Sequence, residues 1–243
     1  MYGYGYRYNS GLVVSAGGGA PFANISSLSF DGVDDYVDCG NGTELQITGG
    51  LTLSVWTKLD SSVGSQSCII SKDNGSSQRA FSLWGIIVNK PVFYIWNGGA
   101  NYNVGGTTNI ADDTWHHVAV VYVPSTSLRI YVDGILEGTN TTSIPASINN
   151  ASQNLYLGQF ASSLFEFKGL MDEVCILDRV ATPSEIVTLS TAPTVNLTDL
   201  NPIAWYRMGD GDTYPTITDN GSGGNNGTMT NMDAGDIIAD VPL

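Results

Sequence analysis

The sequence predicts an all-β protein, an antiparallel two-sheet β-sandwich with one short helix near residues 183–190, and three observations predict it. From residue 25 onward, runs of Val, Ile, Tyr, Phe, Trp and Thr alternate with short clusters of Gly, Asn, Asp and Ser, the punctuation of strands and turns. Charged residues make up only 13% of the chain, with 4 Lys and 5 Glu, so the residues that normally cover the wet faces of helices are scarce. The hydrophobic share is 42% of 243 residues, enough to bury one large sandwich core.

In order along the chain, the strand candidates are 25–30, 35–38, 51–59, 67–71, 80–88, 92–96, 115–123, 128–133, 135–138, 153–158 and 167–178. In 128–133 the apolar positions 128, 130 and 132 share one face, with Arg129 and Tyr131 on the other. Asp133-Gly134 then supplies the two-residue turn of a hairpin. Residues 115–123 become apolar on both faces after their start, as expected of a strand in the middle of the sandwich. Thr182-Pro183-Ser184-Glu185 reads as a capping box with Pro at the first helical position, which starts the helix, and Ala192-Pro193 ends it.

Four segments follow from this reading: an N-terminal Tyr/Gly arm over 1–24, the sandwich over 25–190, a linker over 191–201 and a C-terminal extension over 202–243. The arm interleaves Tyr2, Tyr4, Tyr6, Arg7 and Tyr8 with Gly, a composition that cannot form a core but can dock on the domain, a neighbouring subunit or another partner. The N-terminus lacks the basic start and apolar core of a secretory signal, so the expectation is a protein made in a cytoplasm. The Asn-x-Ser/Thr sequons, such as Asn74-Gly-Ser76, are then chance products of a chain rich in those residues.

Nine basic against 23 acidic residues give a formal charge of −14. Such a surface repels phosphate backbones and anionic lipid, so neither nucleic acid nor membrane is an expected partner. No apolar run reaches the roughly 18 residues that span a bilayer. Cys39, Cys68 and Cys175 are widely spaced and odd in number, and read as buried apolar groups.

Six blocks in fixed order carry a family resemblance. They are Ser29-Phe-Asp-Gly-Val-Asp-Asp-Tyr-Val37, Leu51-Thr-Leu-Ser-Val-Trp-Thr57, Trp115-His-His-Val-Ala-Val-Val-Tyr122, Leu128-Arg-Ile-Tyr-Val-Asp-Gly134, Asn154-Leu-Tyr-Leu-Gly158 and Phe167-Lys-Gly-Leu-Met-Asp-Glu-Val-Cys-Ile176. Together they resemble the laminin-G-like jelly roll of the concanavalin A-like superfamily over residues 25–190. Residues 203–210 and 219–228 resemble the segment that usually precedes the Phe-Asp-Gly strand in such domains. Here they come last, so 202–230 is expected to complete the same sandwich by circular permutation or to add a strand to a neighbour's.

The resemblance implies Ca²⁺ at the sandwich rim, held by Asp31 and Asp34 or Asp35 of the first block and Asp172 of the last. Flexible loops rich in Asp oxygens suit that ion. The alternative is that Asp31 and Asp34 only shape a turn. For a glycan, Trp84, Tyr94, Trp96, Asn97, Tyr102 and Asn103 combine aromatic surface with amide hydrogen-bonders. Catalysis has little support. Glycoside hydrolysis needs two carboxylates flanking a sugar, and none of the five Glu residues forms the Glu-x-Asp-x-Glu triplet of the superfamily's glucanases. Asp172 and Glu173 are adjacent, hence expected on opposite strand faces, as are His116 and His117, which excludes a shared zinc site. His117 is expected to pack and hydrogen-bond.

These readings lead to a non-catalytic structural protein of a bacteriophage virion, a capsid decoration or a tail or fibre component, with other virion proteins and copies of itself as partners and cell-surface glycan as a further one. Freestanding laminin-G-like proteins of this kind resemble those of phage structural regions. The alternative is a calcium-dependent lectin or adhesion module in an extracellular setting, and a glycoside-active enzyme stands last.

Overall fold

A computed structural model describes residues 22–64, 66–87, 90–160, 165–191 and 193–242; the Tyr/Gly residues Tyr2, Tyr4, Tyr6, Arg7 and Tyr8 lie outside them. In chain order the strands are β1 (Ser27–Asp31), β2 (Tyr36–Asp38), β3 (Leu51–Leu59), β4 (Gln66–Asp73), β5 (Arg79–Ile87), β6 (Val92–Asn97), β7 (Ala100–Gly105) and β8 (His116–Val123). They continue as β9 (Ser127–Val132), β10 (Ile135–Asn140), β11 (Tyr156–Leu157), β12 (Lys168–Leu177), β13 (Ala204–Tyr206), β14 (Thr216–Ile217), β15 (Gly227–Thr230) and β16 (Ile237–Ile238). Helix α1 (Pro183–Thr191) stands between β12 and β13.

These strands form two antiparallel sheets. The first runs β10-β9-β8-β3-β12-β1-β16 with β13 also on β12, and the second runs β14-β15-β2-β11-β4-β5-β6-β7. Their inner faces make one core, from Leu53, Val55, Val118 and Val120 on one side to Phe81, Leu83, Phe93 and Ile95 on the other. Strand β8 is apolar on both faces for a physical reason. Val118 and Val120 enter that core, while Ala119 and Val121 face outward into a second cluster under α1. There Ile186 and Leu189 of α1 meet Cys175, Tyr131 and Trp205, and Leu197 and Leu200 of the 191–201 segment join them. The segment expected as a linker thus carries buried apolar side chains.

The helix forms as its cap dictates. Glu185 N donates to Thr182 Oγ1 at 3.3 Å and Thr182 N to Glu185 Oε2 at 2.7 Å, the reciprocal bonds of a capping box. At the β9–β10 hairpin, Asp133 and Gly134 take φ of 50° and 78°, as a primed turn requires. Strands β13 to β16 pair within this chain: β13 with β12, β15 with β2 and β16 with β1. Gly221 permits the close approach of this segment, because a Cβ there would lie 2.7 Å from Ala204 Cα. The three cysteines are free and buried.

Candidate functional site

The outer face of the second sheet carries the residues that can meet a ligand. Alternation along β5, β6 and β7 sends Phe81, Leu83, Phe93, Ile95 and Val104 into the core. The opposite parity places Ser82, Trp84, Tyr94, Trp96, Asn101 and Asn103 on the outer side, where Tyr94 lies across from Asn103 and Trp96 from Asn101. The Tyr94 and Trp96 rings stack at 5.6 Å, and Trp84 packs against Phe160 at 4.8 Å and Phe165 at 5.5 Å. Trp84 Nε1 is satisfied by Ser82 Oγ at 2.8 Å.

Arg79 closes one side of this face. Its guanidinium carbon lies 4.0 Å from the centre of the Trp96 ring, a cation–π contact. Its Nε donates to both oxygens of the fully buried Asp73, at 2.9 and 3.0 Å. Burial raises the Asp73 carboxyl above its ordinary range, and bonds from Gly75 N and Arg79 oppose that rise. Two adjoining clefts share Arg79, Trp96 and Asn101. The aromatic one, of about 270 Å³, adds Gln66, Trp84, Tyr94, Phe160 and Phe165. The polar one, of about 340 Å³, adds Ser76, Ser77, Gly98, Gly99 and Asn149.

Of the six sequence candidates for a glycan, the structure brings Trp84, Tyr94, Trp96 and Asn103 onto this face. The other two need correcting. Tyr102 has the opposite strand parity and packs against the core. Asn97, at the β6–β7 turn, donates its amide to Ser147 O at 2.8 Å. Arg79, Asn101, Phe160 and Phe165 escaped the sequence reading. Asn101 became visible only with β7, where it shares the parity of Asn103 and stands opposite Trp96.

Asp31, Asp34 and Asp35 converge, with one carboxylate oxygen of each within 4.8 Å of the others. Asp31 Oδ1 also accepts Val33 N at 2.7 Å, and Asp35 Oδ2 accepts Asp31 N at 2.9 Å, so the acids shape the turn as well. Burial and the neighbouring carboxylates push the Asp35 carboxyl up to about 6.

Asp172 does not join them. In the register of β1 on β12, Lys168 stands opposite Asp31, and Asp172 lies four residues further along the strand. Its carboxylate accepts Asn24 Nδ2 at 2.8 Å. The expectation that Asp172 and Glu173 face opposite ways also needs correcting. A β-bulge interrupts the β12–β3 register between Asp172 and Cys175, and Glu173 takes φ of 47°. The two carboxylates are then near enough to act on each other electrostatically, and Asp210 acts on both. Glu173 accepts Trp205 Nε1 at 2.5 Å and pairs with Arg207, while Arg207 also holds Asp210 and the Ala23 carbonyl next to Asn24.

The two histidines do diverge. His117 is fully buried, with Nε2 2.7 Å from Ser54 Oγ, and burial pushes it down to about 3. His116 lies at the surface beside Asp133 and Asp112, whose carboxylates offset burial and raise it.

Residues 31–187 match the family model of the concanavalin A-like lectin/glucanases superfamily. Among solved structures, a candidate carbohydrate-binding protein of Bacteroides ovatus is similar at a TM-score of 0.63 and 19% identity. That match covers 90% of this chain and 62% of the other, so the chain spans under two thirds of that relative's length. The CBM40 domain of the Ruminococcus gnavus IT-sialidase, bound to α2,3-sialyllactose, is similar at 0.56 and 12% identity over 70% of this chain and all of that one. A heptameric SAP-like pentraxin of Limulus polyphemus is similar at 0.53 and 16%, over 70% of this chain and 84% of the other. No curated protein matches the chain in sequence.

Proposed function

The chain belongs to the concanavalin A-like lectin/glucanases superfamily, and we propose that it is a non-catalytic carbohydrate-binding protein that uses the outer face of its second sheet. The observation that carries this reading is the convergence of Tyr94, Trp96, Arg79 and Asn101 on two adjoining clefts. Aromatic rings offer sugar C–H surfaces a platform, and a few oriented polar groups fix the ligand, the usual composition of such pockets. The carbohydrate-binding descriptions of two structural neighbours support it. A glycan array with the intact chain, repeated with Asn101→Ala, tests it: binding lost in the variant supports the site, and no binding by the intact chain removes the reading.

The finer form of this proposal is a structural component of a bacteriophage virion, decorating the capsid or forming part of a tail or fibre. Its support is the low share of charge in an Asn-, Gly-, Ser- and Thr-rich sequence and the Tyr/Gly arm suited to docking. Virion proteins and further copies of this chain would be its partners. Mass spectrometry of purified particles tests it, with a fixed ratio to the major capsid protein after high-salt washing as the expected result and absence from particles as the overturning one.

A calcium-dependent lectin is favoured by one observation, the three carboxylates of Asp31, Asp34 and Asp35 within 4.8 Å. Hard oxygen donors at that spacing fit Ca²⁺, and those three residues would hold it. Asp172, already bonded to Asn24, would not.

A further inference from the structure

We propose that the ligand carries a carboxylate and that Arg79 reads it, so the glycans recognised are acidic ones such as sialosides or uronosides. This inference rests on the carbohydrate-binding reading and names its ligand class.

Three observations carry it. Among the described residues lining the two clefts, Arg79 is the one that is charged, in a chain whose formal charge is −14. The guanidinium is also held in place before any ligand arrives: Asp73 takes Nε with both of its oxygens, and Trp96 covers one face of the plane at 4.0 Å. The two terminal nitrogens have no hydrogen-bond partner among the described residues, and the Arg79 side chain remains 30% exposed. The free end is therefore a fixed fork of parallel N–H donors, the geometry that matches a carboxylate in two bonds rather than a hydroxyl in one. Because Asp73 already neutralises the charge at short range, discrimination arises from the fork at contact distance rather than from the long-range field.

The position of Arg79 adds a prediction about the ligand's shape. It stands where the aromatic and polar clefts meet, so the carboxylate is seated at their junction while neighbouring sugar rings extend over Tyr94 on one side and towards Asn149 on the other.

The test compares acidic oligosaccharides with their own methyl esters, using α2,3-sialyllactose and oligogalacturonate as probes, by titration calorimetry on the intact chain. Esterification removes the charge and leaves the sugar rings unchanged. The expected result is that at least one acid binds about tenfold or more tightly than its ester, which is the scale of a charge-assisted bidentate pair. In Arg79→Lys, which keeps the charge and lacks the fork, that preference shrinks while the melting temperature stays near that of the parent. Equal binding of each acid and its own ester overturns the inference and leaves the carbohydrate-binding reading standing. Failure of every acidic and neutral glycan to bind overturns both.

Discussion

Arg207 sets its guanidinium carbon 3.5 Å from the centre of the Phe22 ring while donating to Asp210 at 2.6 Å and to the Ala23 carbonyl at 2.7 Å. The same side chain reaches the buried Glu173 at 3.3 Å, so one cation ties residues 22–25 to the bulge of β12. Removing it leaves two carboxylates buried without their counter-charge, which is the costly half of a buried ion pair. Arg207→Ala should therefore lower stability by about 3 kcal/mol in urea unfolding. A loss below about 0.5 kcal/mol, the scale of an exposed pair, would show that this network is not a buried one.

Stability should fall as pH rises from 6.5 to 8. Burial first, then the charge of Glu173, pushes Asp172 up to about 8, and burial pushes Glu173 up to about 7 against the pull of Trp205 and Arg207. Asp210 also faces both acids, and Asn24 donates to Asp172. With folded values above the unfolded ones, the native state holds more protons, and its advantage drains away between about pH 4 and pH 8. His117 acts in the other direction. Held down to about 3 by burial, it stays neutral while the unfolded chain takes up a proton below about 6.5, so acid destabilises the fold from 6.5 downward. Above 6.5 His117 contributes no further change; His116, raised by Asp133 and Asp112, loses its proton there in the same sense as the acids, and Lys72, held down to about 8 by burial, opposes them only from about pH 8 upward. The expected record is a melting temperature that declines from pH 6.5 to 8 and a flatter profile in Asp172→Asn; a parent profile that is level or rising there would refute the account.

The fold was legible because strand alternation and turn chemistry are local properties. The Asp133-Gly134 turn, the capped helix and the doubly apolar β8 all follow from neighbours in sequence. Strand β7 was not legible, since Ala100–Gly105 has only Val104 as a core residue and takes its conformation from pairing with β6. The bulge at Glu173 was invisible for a related reason: its left-handed backbone falls at the change of partner along β12, from β1 up to Met171 to β13 from Val174. Half of the candidate site could be read from aromatic residues. The other half, Arg79 with Asp73, depends on how the β4–β5 hairpin places a side chain over Trp96 on β6.

Calcium should raise the melting temperature through Asp31, Asp34 and Asp35. Burial first, then the charges of Asp31, Asp236 and Asp34, push Asp35 up to about 6, and a divalent ion would relieve the repulsive part of that shift. An ion present at 100 times its dissociation constant adds about 2.7 kcal/mol, a shift of several degrees. Asp35→Asn should abolish that shift and Asp172→Asn should preserve it, since Asp172 lies outside the cluster. Identical melting curves in millimolar Ca²⁺ and in chelator would dismiss the site.

Two tyrosines eight residues apart on neighbouring strands should separate binding from packing. Tyr94 is half-buried on the outer face, stacked beside Trp96 and lining the aromatic cleft, so Tyr94→Ala removes ligand surface at small cost to the core. Tyr102 has the opposite parity and packs against the core, so Tyr102→Ala costs packing and leaves the clefts lined as before. The expected outcome is a glycan affinity about tenfold weaker in Tyr94→Ala with little change in melting temperature, taking the stacked ring as worth about 1.4 kcal/mol. In Tyr102→Ala the melting temperature falls and the affinity of the folded fraction is kept. Calorimetry and glycan titration on the same two preparations decide it, and the reverse assignment of effects would overturn the placement of the ligand over Tyr94.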